Sequence, residues 1–178
     1  MIMSIQNKNI LVLTSCSFKK KQVKSAIKAK ELYEGDFFKK VKNFASLNNF
    51  DLKIISAKYG LLDSDDFISY YDLQIKRKSE IENLRKIVLP KIEKIIPLYD
   101  KILVIMGENY KKIVMSPSDK FLFFYDNRGL GGYKALMNDL LLLNKKNLYK
   151  LIFYQDTKQI DINHIKKFKN KFKKLTDY

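Results

Sequence analysis

Leu52-Lys53-Ile54-Ile55-Ser56-Ala57-Lys58-Tyr59-Gly60-Leu61-Leu62 is the stretch whose reading decides the fold. Its first four residues make a short apolar run of the kind that forms a buried strand. Small residues follow, then a lysine, a tyrosine and a glycine. Beyond them lies a loop crowded with acids and tyrosines: Asp63, Asp65, Asp66, Tyr70, Tyr71 and Asp72. Open α/β sheets bind ligands beyond the carboxyl ends of their strands, and a strand releasing polar side chains into such a loop is built like the rim of a site. The plainer reading of the loop is a solvated surface turn.

Outward from this segment the same pattern repeats. Ile10-Leu11-Val12-Leu13-Thr14 reads as a first buried strand. Apolar residues at helical spacing, Ala26 through Phe44, predict a helix over 25–47, with Gly35 a weak point inside it. A second helix is predicted over 79–96, with Leu84, Ile87, Val88, Ile92 and Ile95 on one side, kinked or divided at Pro90 and ended by Pro97. Ile102 to Met106 and Phe121 to Tyr125 read as the third and fourth strands, with a short helix between them after Gly107. A helix over 133–143 follows, then Leu151 to Tyr154 as a fifth strand or extended edge. From Asp161 to the end a Lys-rich helix is predicted. Strands alternating with helices point to a mainly parallel sheet covered on both faces, an α/β/α sandwich. There is no internal repeat or low-complexity linker, so residues 1–178 read as one domain.

Composition narrows the partners. Thirty-five Lys and Arg against nineteen Asp and Glu leave a formal charge of +16 over 178 residues. A surplus of that size favours polyanions, nucleic acid first; a lysine-rich coding bias would supply the lysines without explaining the shortage of acids. The single cysteine, Cys16, excludes an internal disulfide and suits a reducing cytoplasm. No apolar run approaches the length of a membrane span.

Four strand ends would meet on one rim. They carry Thr14, Ser15, Cys16, Ser17 and Lys20 from the first, Ser56, Lys58 and Tyr59 from the second, Glu108, Asn109 and Tyr110 from the third, and Asn127 and a glycine cluster from the fourth. Aromatic faces, hydroxyls and amides around a concavity suit a flat hydrogen-bonding ligand such as a nucleobase. Cys16 also reads as a packing residue, Tyr33 and Phe37 as core, and Gly129-Leu130-Gly131-Gly132 as a tight turn. The only histidine, His164, sits among terminal lysines, so a Ser-His-Asp or Cys-His engine is excluded. With no CxxC or HExxH spacing, neither a metal nor an organic cofactor is implied. Carboxylate and lysine chemistry remains: Asp72, behind two tyrosines, is the candidate catalytic carboxylate, and Lys58 a candidate to anchor phosphate, assist the departing base or attack the sugar. Lys20, Arg128, Lys166, Lys167 and Lys169 are the candidate backbone contacts.

Cys16-Ser17 with Lys20, then Ala29, Leu32, Tyr33 and Phe38, then Ser56 to Leu62 with Tyr71-Asp72, resemble the signatures of a poorly characterised α/β domain family. That family is similar to the YaaA peroxide-stress proteins, which bind DNA, and to the catalytic domain of archaeosine synthases, which handle a deazaguanine base in tRNA. The wider grouping looks like the uracil-DNA glycosylase architecture. The hallmark Gly-Gln-Asp-Pro-Tyr and His-Pro-Ser segments of those glycosylases are absent here, which implies a base other than uracil. The resemblance implies a DNA glycosylase that excises a modified base, for example a glycosylated hypermodified pyrimidine, and leaves an abasic site. Cys16, Ser17, Ser56, Tyr59, Tyr71, Glu108, Asn109 and Tyr110 would form its base pocket. Such an enzyme would suit defence against phages with hypermodified DNA. The alternatives are tRNA deazaguanine-type modification and a non-catalytic DNA-binding stress protein; DNA is favoured over tRNA.

Overall fold

The structure is a computed structural model that describes residues 8–115, 118–154 and 157–173, with side chains as far as Lys167. Its strands are β1 (Ile10–Ser15), β2 (Ile27–Lys28), β3 (Asp51–Ser56), β4 (Gly60–Asp63), β5 (Phe67–Ile68), β6 (Lys101–Val104), β7 (Phe121–Phe124) and β8 (Gln159–Ile160). Its helices are α1 (Ala29–Leu32), α2 (Asp36–Asn48), α3 (Lys78–Ile95), α4 (Glu108–Val114), α5 (Leu130–Leu141), α6 (Lys145–Phe153) and α7 (Ile162–Lys173). A sheet in the order β4-β3-β1-β6-β7-β8 runs through the middle, and β2 pairs with β5 outside it.

Every pairing in the large sheet is parallel except that of β3 with β4. Taken alone, the parallel strands stand in the order second, first, third, fourth, fifth. The chain therefore leaves β1 in one direction and returns past it in the other, which makes a topological switch point between β1 and β6.

Strand periodicity sorts the core into two layers. Ile10 and Val12 point to one face, with Leu103, Leu122 and Phe124, and pack under α2, α5, α6 and α7. Leu11 and Leu13 point to the other, with Ile102 and Val104, and pack under α3 and α4. This is the three-layer α/β/α sandwich, and β1 is apolar on both sides because neither faces water. Thr14, fully buried at its end, donates its hydroxyl to the Ile105 carbonyl at 2.8 Å, so the one polar group there is satisfied. Among the described residues no helix is long and apolar enough to cross a membrane.

Four expectations need correction. The helix over 25–47 is three pieces: Ile27–Lys28 is a strand, Ala29–Leu32 a single helical turn, and α2 begins only at Asp36. The break is at Gly35, where a Cβ would lie 2.8 Å from the Cβ of Ser17; the chain needs the missing side chain to bring the loop after β1 against α2. Asp63, read as part of the acidic loop, ends β4, which folds back on β3 through a turn at 57–59. Leu151 to Phe153 end α6, and the fifth parallel strand is Gln159–Ile160 instead; a four-residue apolar run is equally compatible with a buried helix face. Pro90 sits inside α3 without dividing it, and Ile87, read as part of the apolar side, is exposed.

Gly60 has φ +74° and room for a side chain, since a Cβ there would meet nothing closer than 3.6 Å, so its requirement is conformational. Gly107, at φ −67° with no atom within 4 Å of where a Cβ would stand, has no comparable requirement. Gly60→Ala is expected to lower the unfolding free energy by about 1–2 kcal/mol, with Gly107→Ala near neutral, measured by urea denaturation of both variants.

Candidate functional site

The carboxyl ends of β1, β3 and β6 bring a cluster of tyrosines and lysines together at the switch point. Ser56, the last residue of β3, is fully buried. Its hydroxyl accepts from the backbone N–H groups of Tyr59 at 3.1 Å and Lys58 at 3.3 Å, which closes the turn into β4. The same oxygen lies 2.8 Å from the hydroxyl of Tyr71, which in turn lies 2.9 Å from that of Tyr33. Tyr59 meets Tyr71 edge-on at 5.4 Å between ring centres. Lys20 Nζ stands 4.4 Å from the Tyr71 ring centre, and Lys58 Nζ stands 5.9 Å from it and 5.2 Å from that of Tyr59. Across the switch point, Cys16 Sγ contacts the Tyr110 hydroxyl at 3.2 Å, joining the end of β1 to α4.

Burial sets the electrostatics. It pushes the Tyr33 phenol up to about 12, against the downward pull of hydrogen bonds from Ser56 and Tyr71. Burial raises Tyr71 and Tyr110 further, helped in both by the neighbouring Cys16. Lys20, only 8% exposed, is lowered by burial, with Cys16 and Asp72 acting in the opposite direction. The site is thus a set of neutral phenols with a cation held against the central ring.

The carboxylates of the acidic loop fall into two groups. Asp63 pairs with Lys53, Asp65 with Lys28 and Lys30 at 2.7 and 2.8 Å, and Asp66 accepts from the Asp63 N–H at 2.8 Å. The two lysines hold the Asp65 carboxyl down at about 2. These three acids fasten the β4 hairpin and the α1 turn. Asp72 is exposed, and among the described residues it makes no hydrogen bond or ion pair, although its charge reaches Lys20.

A second cluster lies at the ends of β6 and β7. Lys111, 6% exposed, donates to Glu108 Oε1 at 2.8 Å and to the Tyr133 hydroxyl, and that hydroxyl donates to the same Glu108 oxygen at 2.7 Å. Burial works to raise Glu108, but the bonds from Lys111 and Tyr133 with the Lys112 charge hold it below its ordinary value. Next to the cluster, buried Asp126 takes a bidentate bond from Arg128 at 2.9 and 2.7 Å. Its carboxylate rests on bare Gly132, where a Cβ would come within 1.8 Å. Gly107, Glu108, Tyr125, Leu130, Tyr133 and Phe37 line a cavity of about 270 Å³ here.

Of the residues singled out from sequence, Cys16, Lys20, Ser56, Lys58, Tyr59, Tyr71, Asp72 and Tyr110 stand in or beside the first cluster. Ser17 turns away: its hydroxyl donates to the Lys19 carbonyl and receives the Gly35 N–H. Glu108 faces the second cluster, and Asn109 is exposed on α4 between the two. Lys20 is buried against Tyr71, and Arg128 is paired with Asp126 while its side chain stays 54% exposed. Lys166 and Lys167 are exposed on α7, whereas the side chain of Lys169 lies outside the described residues. Sequence reasoning missed Lys111 and Tyr133. Glu108 and Lys111 at i, i+3 on one helix were the available signal; nothing in the sequence indicates that Tyr133 closes the triangle.

Residues 11–123 match the profile of a family of unknown function, DUF6884. The chain belongs to that family. The matched span holds the whole of the first cluster and α4, and stops before Asp126 and Tyr133. No curated protein and no solved structure matches the chain.

The Tyr33 phenol gives the cluster a pH signature. Its ordinary value is about 10, and in the fold it stands at about 12. A raised acid stabilises the fold below the unfolded value and loses that contribution as pH rises through the folded one. Stability should therefore fall between about pH 10 and about pH 12, and less steeply in Tyr33→Phe. Urea unfolding across that range checks it; the difference between the two proteins isolates the phenol from the lysines, and identical slopes would show the hydroxyl to be solvated.

Proposed function

We propose that this chain is an N-glycosidic-bond hydrolase acting on nucleic acid, a DNA glycosylase that removes a modified base and leaves an abasic site. The observation that carries the reading is Asp72: the one acid of its loop not used to hold the fold, exposed at the switch-point rim beside buried Lys20 and Tyr71. The likeness to base-handling α/β families and the +16 charge support it.

The roles follow from the chemistry of the bond. As the bond between C1′ and the base nitrogen breaks, its electron pair leaves with the base and positive charge develops on the sugar. An exposed carboxylate stabilises that charge and orients a water molecule, whose oxygen bonds to C1′ while its proton passes to the carboxylate. Lys58, exposed over the edge of the tyrosine pair, is placed to meet a flanking phosphate or the negative charge on the departing base. Tyr59 supplies ring surface, and buried Tyr71, its hydroxyl held by Ser56 and Tyr33, backs Tyr59 and positions Lys20. Cys16 and Tyr110 close the floor between the strand ends.

The test is to incubate the protein with phage DNAs carrying different hypermodified bases, beside unmodified DNA and tRNA, and to look for free base by mass spectrometry. Release from a modified DNA is expected, with Asp72→Asn slowing it about 100-fold or more while DNA binding and fold persist. Binding without release from any substrate would remove the hydrolase reading in favour of a passive DNA-binding role; change of tRNA only in the presence of a small-molecule co-substrate would favour base modification. Release undiminished in Asp72→Asn would remove Asp72 from the mechanism.

A further inference from the structure

Three charged side chains are buried among the described residues: Lys20, Lys111 and Asp126. Lys111 bonds Glu108, and Asp126 bonds Arg128. Lys20 alone pairs with no charged partner among the described residues. Its Nζ donates to the Phe18 carbonyl at 3.4 Å and otherwise lies over the Tyr71 ring, 4.4 Å from its centre. A buried cation without a counter-ion is costly, so the fold gains little from a lysine at this place.

The lysine is nonetheless held firmly. The Glu34 N–H donates to the Lys19 carbonyl, the Lys21 N–H donates to the Leu32 carbonyl, and Lys20 itself is bridged to Tyr33. The amine therefore has a fixed origin just past β1, beside partly exposed Cys16 and within electrostatic reach of exposed Asp72. Burial favours its neutral form, against the charges of Cys16 and Asp72. Only that form carries the lone pair that attacks carbon. For a purely structural contact with the Tyr71 ring, an arginine would stack better and stay charged. The excision reaction delivers an electrophile to the same rim: an abasic sugar, whose ring-opened form has an aldehyde at C1′.

We propose that Lys20 is the nucleophile of a second activity, an abasic-site lyase that cuts the DNA strand on the 3′ side of the vacated sugar. The inference goes beyond the preceding reading and rests on it only in taking DNA as the substrate and this rim as the place where the sugar lies. The neutral amine adds to C1′, and the adduct takes a proton from solvent and loses water to become a protonated imine. The imine acidifies C2′, whose proton passes to the Asp72 carboxylate. The C–H bonding pair becomes the C2′–C3′ double bond, and the C3′–O bond breaks with its electron pair leaving on the 3′ phosphate. Water then hydrolyses the imine, which frees Lys20 and leaves an unsaturated aldehyde on the cut strand.

Duplex DNA carrying one preformed abasic site tests this without any need for base release. Incubated with the full chain and borohydride, which reduces the imine carbon to a stable secondary amine, it should give a covalent protein–DNA adduct. Peptide mapping of the unaltered protein should place that adduct on Lys20. Without borohydride the strand should be cut at the abasic site, with the unsaturated aldehyde end visible by mass spectrometry. Lys20→Arg keeps the charge and the ring contact but forms no imine, and should lose both adduct and cutting while DNA binding persists. No adduct, an adduct mapped to Lys58 or any other lysine, or cutting undiminished in Lys20→Arg would overturn the assignment. Base release from modified DNA with no adduct would sink the lyase alone; adduct and cutting at preformed sites with no base release would sink the hydrolase alone.

Discussion

A strand with helices over both faces has no solvent side, and β1 is the strand on which everything else in this protein is arranged. Ile10 and Val12 anchor one helical layer and Leu11 and Leu13 the other, each at most 3% exposed. Its two neighbours, β3 and β6, are laid parallel against it in registers that end at Ser15 and Leu13. The residues that follow those strands are therefore delivered to one edge of the sheet. Burying a further polar group in the middle of β1 would cost stability in both layers at once, whereas polar groups just past its end have water and each other as partners. The polar residues of the cluster stand at the edge because that is where the core stops.

Tyr71 is the point at which the edge is organised. Its hydroxyl meets Ser56 from β3 and Tyr33 from the turn before α2, and its ring meets Tyr59 and the Lys20 cation. Buried hydroxyls are costly unless paired, and here each one satisfies another, so the three segments hold one another in place. Ser56 has a second duty through its bonds to the turn N–H groups, so the turn that carries Lys58 is set by the same oxygen that fixes Tyr71. Gly35 makes the third side of this construction possible. Without its bare Cα, Ser17 and the loop holding Cys16 and Lys20 could not close on Tyr33.

Much of the sheet was legible in the sequence because its strands are short apolar runs bounded by polar or small residues: β1, β3, β6 and β7 lie within two residues of where periodicity puts them. The family likewise has no assigned function, in keeping with the resemblance read from the Ser56 to Leu62 motif. Failures came where one signal had two physical meanings. Leu151 to Phe153 is apolar because α6 buries that face on the sheet, not because it pairs as a strand. Ala26 continues a helical spacing although the chain there is extended into β2. In the site, Tyr-Lys-Lys at 110–112 looks like an exposed face, and only the fold shows Lys111 under Tyr133 while Lys112 remains in solvent. Periodicity reports which side of an element is covered; it carries no information about a partner twenty-two residues away.

The acids are the sharpest guide to what the fold does not explain. In a chain with +16 formal charge, basic residues outnumber carboxylates thirty-five to nineteen. Asp63, Asp65 and Asp66 have each been drawn into the β4 hairpin or the α1 turn, and Asp126 is clamped by Arg128 above Gly132. Glu108 is held by two donors on one oxygen. Asp72 has Lys20 within electrostatic reach, yet the lysine lies over the Tyr71 ring instead of pairing with it. An exposed, unpaired carboxylate adds little to stability, and its loss would leave the core and the tyrosine network as they are. The fold has no structural use for Asp72 at that place, beside a buried cation and a wall of neutral phenols. Asp72 stands at the edge where ligands meet α/β sheets, and that position, more than its freedom, is why the proposed chemistry is placed on it.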